Sequence, residues 1–269
     1  ADYYSLQIVD PPEWTLQNSG TNNTLYGACF INASVGTAVG LFGTIRRTTD
    51  GGETWTPQDI DDSFHIYDVS FTDANTGTLV GDGGIIFRTI DGGANWTPQT
   101  SGTTEDLWGV CMMTASTGTA VGTGGVILRT TNGGTTWLPQ TSGTTQYLVD
   151  VSFWGTTTGY AVGGNGVILK TTNSGTTWTP QTSGTTASLK SVTLTSSTTG
   201  TVVGSGGVIL RTIDGGANWT PQTSGTLYEL RDVDFYDANI GIATGSNSTV
   251  IRTTDAGATW QSMNSGIGA

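Results

Sequence analysis

Residues 88–103 read Arg88-Thr89-Ile90-Asp91-Gly92-Gly93-Ala94-Asn95-Trp96-Thr97-Pro98-Gln99-Thr100-Ser101-Gly102-Thr103, and the same sixteen residues return unchanged at 211–226. The tryptophan in this stretch is one of seven spaced 41 residues apart: Trp14, Trp55, Trp96, Trp137, Trp178, Trp219 and Trp260. A repeat of that length is one supersecondary unit that cannot bury its apolar face alone and must stack on its neighbours. The period therefore argues for a single domain across residues 1–269.

One unit shows what stacks. Leu107-Trp108-Gly109-Val110-Cys111-Met112 is a short apolar run, and a turn at 115–118 leads to Thr119-Ala120-Val121-Gly122. Thr123-Gly124-Gly125 turns into Val126-Ile127-Leu128-Arg129-Thr130, and Asn132-Gly133-Gly134 turns into Thr136-Trp137-Leu138-Pro139-Gln140. Four short runs bounded by Gly, Asn, Ser and Thr, with no helical period, predict a four-stranded antiparallel blade, with strands A to D from the axis outward. Pro98, Pro139, Pro180 and Pro221 place strand D at an edge, because proline cannot donate into a central ladder. The fold class is thus all-β, a β-propeller with six blades between residues 25 and 265. Residues 1–24 read as a closing hairpin, with a strand C at 5–9 and a strand D at 14–20. The alternative is a seventh blade begun by this hairpin, its strands A and B lying beyond Ala269.

Charged residues make up 11% of the chain and the formal net charge is −12. That field repels phosphate backbones and excludes nucleic acid as a partner. No apolar run reaches the ~20 residues of a membrane helix, so insertion is not expected. A chain that begins Ala1-Asp2, with few lysines and a Thr/Ser/Asn/Gly-rich surface, reads as a mature exported protein, extracellular or periplasmic. Cys29 and Cys111 share one repeat position two repeats apart, too far for the ~4.4–6.8 Å Cα separation of a disulfide, and read as small buried thiols.

The turn between strands C and D carries Thr-x-Asp-x-Gly-x-x-Trp, with Asp50, Asp91, Asn132, Asn173, Asp214 and Asp255 at its head. A side-chain oxygen there accepts hydrogen bonds from backbone N–H groups ahead of it, the glycines supply positive φ, and the tryptophan packs between blades. Asn replaces Asp twice, as a structural acceptor allows. This motif resembles the Asp-box, or bacterial neuraminidase repeat. The longer pattern, read in Gly122-Thr123-Gly124-Gly125-Val126-Ile127-Leu128-Arg129-Thr130, is similar to the photosystem II stability/assembly factor-like propellers. That resemblance implies a propeller used as a binding scaffold. The photosynthetic members have seven blades and a basic partner surface, and the six complete repeats and −12 charge here depart from both. The scaffold role is carried over and the photosystem partner is not.

Asp-box propellers also include glycosidases. The resemblance to sialidases would require three converging arginines, yet Arg47, Arg88, Arg129, Arg211 and Arg252 sit with Lys170 at one repeat position, leaving Arg46 and Arg231. Glu105 and Glu229 occupy equivalent loops three blades apart, a poor fit to the ~5–9.5 Å between paired glycosidase carboxylates. His65 has no nucleophile at a motif spacing. No catalytic residue, cofactor or metal site is assigned, and the acidic run Asp59, Asp61 and Asp62 reads as a solvated loop rather than a Ca²⁺ cage. Asp68, Asp150 and Asp232 share one strand A position in alternate blades and read as the wall of a hydrated channel.

Departures from the repeat point to function. They concentrate in the dipeptide before strand A and in its second residue, and alternation puts these on the face opposite the Asp-box turns. The expected partner-binding rim is Phe64, His65, Tyr67, Trp108, Tyr147, Tyr228, Glu229 and Arg231. Aromatic and charged residues on a concave rim are hot-spot types. The expected function is an exported, non-catalytic scaffold that binds a protein or a surface assembly. The alternative is a carbohydrate-directed propeller, lectin or sialidase-like hydrolase, stacking the same aromatics on sugar rings.

Overall fold

The computed structural model describes residues 17–60 and 63–264. Six four-stranded antiparallel sheets, each with its strands in chain order, make six blades of a β-propeller. The expected strand at 5–9 and residues 14–16 of the one expected at 14–20 lie outside the described residues, and residues 17–20 are not in a strand. Strand A of the successive blades is Leu25–Phe30, Ile66–Phe71, Leu107–Met112, Leu148–Trp154, Leu189–Leu194 and Leu230–Phe235. Strand B, such as Gly118–Gly122, is buried along its whole length on both sides in blades 1, 2, 3 and 5, and in blade 4 along all but its first residue, Thr158. Strand D is short and exposed, and Pro98, Pro139, Pro180 and Pro221 each sit in it opposite strand C, on the edge the sequence predicts. Among the described residues, helix is limited to four one-turn 3₁₀ segments at the B–C turns.

The core is a series of blade-to-blade interfaces. Val110, Met112, Ala120, Leu128 and Trp137 of blade 3 close on Val80 and Ile86 of blade 2. Blades 4, 5 and 6 repeat the arrangement, bringing Trp178, Trp219 and Trp260 to bear on the blade before. These four tryptophans are buried as expected, whereas Trp55 and Trp96 are only half-buried. In most blades the ring is met edge-on by a strand A or B aromatic, as Phe153 meets Trp178 with centroids 6.0 Å apart.

Polar side chains stitch the same interfaces. Four of the six repeat-position cations reach a backbone carbonyl of the next blade: Arg47 to Ala74 (2.7 Å), Arg88 to Ala115 (2.8 Å), Arg129 to Ser174 (2.6 Å) and Lys170 to Gly215 (2.5 Å). The channel carboxylates do likewise. Asp68 accepts the N–H of Val69 in its own strand and of Val110 in the next blade, both at 2.8 Å. Asp150 accepts from Val151 and Val192 in the same way. The alternation with glycine follows from crowding, since a Cβ on Gly109 would lie 2.7 Å from the Val149 carbonyl oxygen and 3.0 Å from the Asp150 Cα. These aspartates are therefore inter-blade acceptors as well as channel wall, a role the periodicity alone did not reveal.

The Asp-box is a turn lock. Thr89 Oγ1 donates to Asp91 and accepts the Gly93 N–H, while Asp91 accepts both the backbone and side-chain N–H groups of Asn95. At Asn132 the fourth residue on is Thr136, and its hydroxyl accepts from the Asn132 amide where Thr54 donates to Asp50. A threonine hydroxyl can serve either way, so Asn replaces Asp at this position without leaving a group unpaired.

Two stability tests follow from these contacts. Trp178→Ala removes a buried ring from the interface between blades 3 and 4, and the expected loss is ~3–5 kcal/mol in chemical denaturation. The Asp-box should reveal itself as a difference between variants. Asp255→Ala lowers the melting temperature at neutral pH, and Asp255→Asn, whose partner is the Thr259 hydroxyl, retains most of it.

The carboxylates give a two-sided pH profile. Hydrogen bonds from the Asn218 side chain, the Asn218 N–H and Thr212 hold Asp214 down to about 2. Asp50 and Asp255 are held at about 2 in the same way, chiefly by the hydroxyl and N–H of Thr54 and Thr259. A depressed carboxylate contributes stability above its unfolded value, near ~4, and loses it as pH falls through the folded value. Burial pushes Asp68 up to about 8 and Asp150 to about 6, against the opposing pull of the Val110 and Val192 N–H groups. A raised pKa has the opposite sign, so that contribution is complete below ~4 and fades as pH rises through 6 and 8. Melting temperature should peak in mildly acidic buffer and fall on both sides, with Asp68→Asn flattening the alkaline limb.

Candidate functional site

The two faces of the propeller differ in how they are built. On one, each Asp-box turn bonds the A–B turn of its own blade, as Gly92 N–H does to Asn75 and Gly133 N–H to Ser116. On the other, the residue before strand A bonds the B–C turn, as the Asp106 carbonyl accepts from Thr123 and that of Tyr147 from Gly164. The variable dipeptides and the near-invariant Asp-boxes therefore lie on opposite faces, as the strand alternation implies.

A bulge in each strand A makes the mouth of the channel. In blade 3 Leu107 pairs with Gly122 and Gly109 pairs with Val121, leaving Trp108 as the extra residue with no partner in strand B. The same shift leaves Tyr26, Tyr67, Val149, Lys190 and Arg231 unpaired in the other blades. A bulged residue is turned out of the pleat and re-aimed. The strand B glycine makes room for it, since a Cβ on Gly122 would stand 2.1 Å from the Asp106 carbonyl oxygen. All six bulged side chains converge on one cavity of about 670 Å³ at the axis.

The cavity wall is divided by chemistry. Tyr67 stacks on Trp108 with centroids 4.1 Å apart and planes at 20°, and Tyr26 lies 5.5 Å from Tyr67. Trp108 is half-buried, with its indole N–H given to Thr123 Oγ1 at 3.0 Å. Tyr67 donates its hydroxyl to Asp82; burial, with that bond and the Asp82 charge behind it, raises its pKa. On the other side Lys190 and Arg231 flank Glu229, at 3.5 Å and 3.0 Å. Burial works to raise the Glu229 pKa, but the Ser205 hydroxyl and the two cations outweigh it and hold the group below its ordinary value. An aromatic ladder thus faces a cationic pair across the mouth.

Of the eight residues expected on the rim, Tyr67, Trp108 and Arg231 line this cavity. Glu229 stands beside it through its two cations. Phe64 turns away and packs on Phe87 at 5.7 Å, and His65 accepts the Phe42 N–H on its Nδ1 with its ring edge-on to Phe42. Tyr147 and Tyr228 are exposed on the loop face, Tyr147 bonded to Ser188, and neither lines the cavity. Tyr26 and Lys190 belong to the mouth and were not among the eight, although their place at the second position of strand A was the signal for them. Two other grooves, of about 850 and 660 Å³, run along the outer blade edges, but repeat residues such as Ser142, Trp137, Ser224 and Trp219 line them. Among the described residues no group of three or more His, Cys, Asp or Glu is placed to hold a metal. Asp59 is tied to Arg46 and the Ile45 N–H, and Asp61 and Asp62 lie outside the described residues. Cys29 and Cys111 are free thiols, with burial raising Cys29 and pushing Cys111 up to about 12.

Comparison with known proteins agrees with this architecture. The family described as photosynthesis system II assembly factor YCF48 matches residues 57–141 and 138–223. No curated protein matches the chain significantly. Among solved structures, YCF48 from Cyanidioschyzon merolae is similar with a TM-score of 0.74 and 22% identity, over 90% of this chain and 86% of that one. A YCF48 bound to D1 peptide is similar with a TM-score of 0.77 and 22% identity, over 94% and 85%. The GH74 enzyme of Niastella koreensis is similar with a TM-score of 0.70 and 18% identity, over 89% of this chain but 45% of the enzyme. The structural likenesses carry the fold, while the family match spans more than half of the chain, and on that ground the protein belongs to the YCF48 photosystem II assembly factor family.

Proposed function

We propose that this protein is an exported, non-catalytic scaffold that binds a protein partner at the channel mouth. The observation that carries this reading is the convergence of six bulged residues on one cavity, with Tyr26, Tyr67 and Trp108 on one side and Lys190 and Arg231 on the other. Such a wall suits a polypeptide that brings an apolar or aromatic side chain and an acidic group together. A YCF48 solved with a D1 peptide supports a polypeptide as the class of ligand. The Thr/Ser/Gly-rich, lysine-poor composition supports export.

Two observations weigh against the carbohydrate-directed, hydrolytic alternative. The raised pKa values of Asp68 and Asp150 resemble an acid–base pair, yet both carboxylates are engaged by backbone N–H groups of their own and the next blade. Three of the five repeat arginines that a sialidase-like site would recruit, Arg47, Arg88 and Arg129, are spent on carbonyls of the adjacent blade.

The test begins with a partner recovered from native extract on the intact protein and then titrated calorimetrically. Trp108→Ala and Arg231→Ala are each expected to cost more than ~2 kcal/mol of binding. Thr136→Ala, on the Asp-box face, should leave affinity unchanged. Unaltered affinity in both mouth variants contradicts the assignment, and glycan-array binding lost in Trp108→Ala transfers the mouth to the carbohydrate reading. Cell fractionation checks the export.

A further inference from the structure

Charge is divided unevenly around the ring. Residues 107–213, which make blades 3 and 4 and most of blade 5, carry Arg129, Lys170, Lys190 and Arg211 against one carboxylate, Asp150, in a chain of net charge −12. Asp150 is itself enclosed beside the axis and bonded to Val192. On the Asp-box face the division is sharp. Asp50, Asp91, Asp214 and Asp255 head the turns of blades 1, 2, 5 and 6, and bonds from the residue four positions on hold all four below the ordinary carboxylate range. Blades 3 and 4 have the uncharged Asn132 and Asn173 instead.

Blade 4 departs further, in the A–B turn that its Asp-box turn supports. In the other five blades the residue that opens this turn also caps it. Asp73 accepts the N–H groups of Asn75 and Thr76, and Asn32, Thr114, Ser196 and Asp237 each accept the equivalent pair. Blade 4 has Gly155 there, at φ +61°, with no side chain to accept them. Its strand A runs on to Trp154, which pairs with Thr158 across a tightened hairpin. The Trp154 side chain is 46% exposed, at a position that blades 2 and 5 fill with Thr72 and Thr195. A capped turn is given up here, and an indole is set on the face.

Hydrogen bonds draw a cation to the same turn. Ser174 gives its N–H to the Thr157 carbonyl at 3.0 Å, and its own carbonyl accepts Arg129 Nε at 2.6 Å. Arg129 is half-buried, and its two Nη groups have no partner among the described residues. Asn173 accepts the Thr177 N–H and gives its amide to the Thr177 hydroxyl, so it is satisfied without a charge. Blade 4 stands across the ring from the boundary of blades 6 and 1, where Phe30 is 49% exposed. The strands A on the two sides of that boundary lack, among the described residues, the packing that joins the other neighbours.

We propose that the Asp-box end of blade 4 docks an acidic segment of a partner polypeptide, with an apolar side chain of that segment on the Trp154 ring and a carboxylate on the Nη groups of Arg129. The chemistry follows from what a covered face must give up. An ionised Asp-box carboxylate under a partner loses its water without gaining a counter-charge, whereas Asn173 is already paired and is covered at little cost. The paired Nη groups match the two oxygens of a carboxylate. Exposed charges act over about 8 Å at physiological ionic strength, so the local balance at blade 4 governs docking rather than the charge of the whole chain. The aspartate-headed turns of blades 1, 2, 5 and 6 repel the same segment and confine it to this sector. The site lies on the face opposite the channel mouth and does not depend on it.

The repeat supplies variants that keep the fold. Trp154→Thr installs the residue of blades 2 and 5, and Asn173→Asp installs that of blades 1, 2, 5 and 6, with the Thr177 hydroxyl placed to donate as Thr54 does to Asp50. The probe is a fluorescein-labelled peptide of two leucines with glutamates on both sides, titrated into the full chain by fluorescence anisotropy. Trp154→Thr should weaken its binding about tenfold or more, as loss of an aromatic anchor implies. Asn173→Asp should weaken it about fivefold through the added like charge, and less in high salt. Replacing the peptide's glutamates by serine should cost about tenfold. Both protein variants should melt with the parent, and both losses should persist in Trp108→Ala protein, which separates this site from the mouth. Absence of binding, or binding unchanged in Trp154→Thr and Asn173→Asp, overturns the proposal. So do losses that vanish in Trp108→Ala protein, equal binding of the serine peptide, or a solution dimer that Trp154→Thr dissociates, which would make a second copy the occupant.

Discussion

The structure depends on one contact repeated around the axis: the apolar face of each blade closed against the blade before it. A single four-stranded sheet of this composition cannot hide its Val, Ile and Trp side chains, and only the neighbour completes the burial. Polar stitches share that interface, so each lost blade contact would expose both an apolar face and a set of buried donors and acceptors. Guanidinium groups reach carbonyls near the Asp-box face, and Asp68 and Asp150 take N–H groups beside the axis. Arg47, Arg88, Arg129 and Lys170, with Asp68 and Asp150, would tempt an enzymatic reading and are instead committed to holding blades together.

That commitment divides the molecule by face. The Asp-box turns are alike because the lock of Thr, Asp and the following N–H groups tolerates little beyond an Asp-to-Asn change. The bulged second residue of strand A has no such constraint. It is outside the ladder, its side chain leaves the pleat, and the glycine opposite it in strand B carries the steric burden. Tyr26, Tyr67, Trp108, Val149, Lys190 and Arg231 can therefore differ from blade to blade without disturbing the packing, and a binding surface can be assembled from them.

The blade count, strand order, edge prolines and facing of the loops were legible in the sequence because each follows from period and turn chemistry. The rim was legible only in part. Trp108, Tyr67 and Arg231 were found as departures from the repeat, but Phe64 and His65 depart from it too and are turned onto Phe87 and Phe42. Variation marks freedom from the ladder, and only the bulge determines which free residues point at the axis. The stitching role of Asp68 and Asp150 was hidden for another reason. A hydrogen bond to the next blade spans 42 residues, and spacing alone does not show which of two neighbours a carboxylate serves. The half-buried state of Trp55 and Trp96 was hidden as well, since both carry the same repeat motif as the buried Trp178.

The central claim is that each blade is secured by its predecessor, and that the first blade alone faces a boundary the described residues do not fill. Residue-resolved amide hydrogen exchange on the free protein tests this most directly, because it reads the stability of each strand A separately. The account expects strong and similar protection at Val69, Val110, Val151, Val192 and Val233, and markedly faster exchange at Ala28 and Phe30. Protection at Ala28 and Phe30 equal to that at the five valines would contradict it, showing that the ring is closed on blade 1 as firmly as anywhere else.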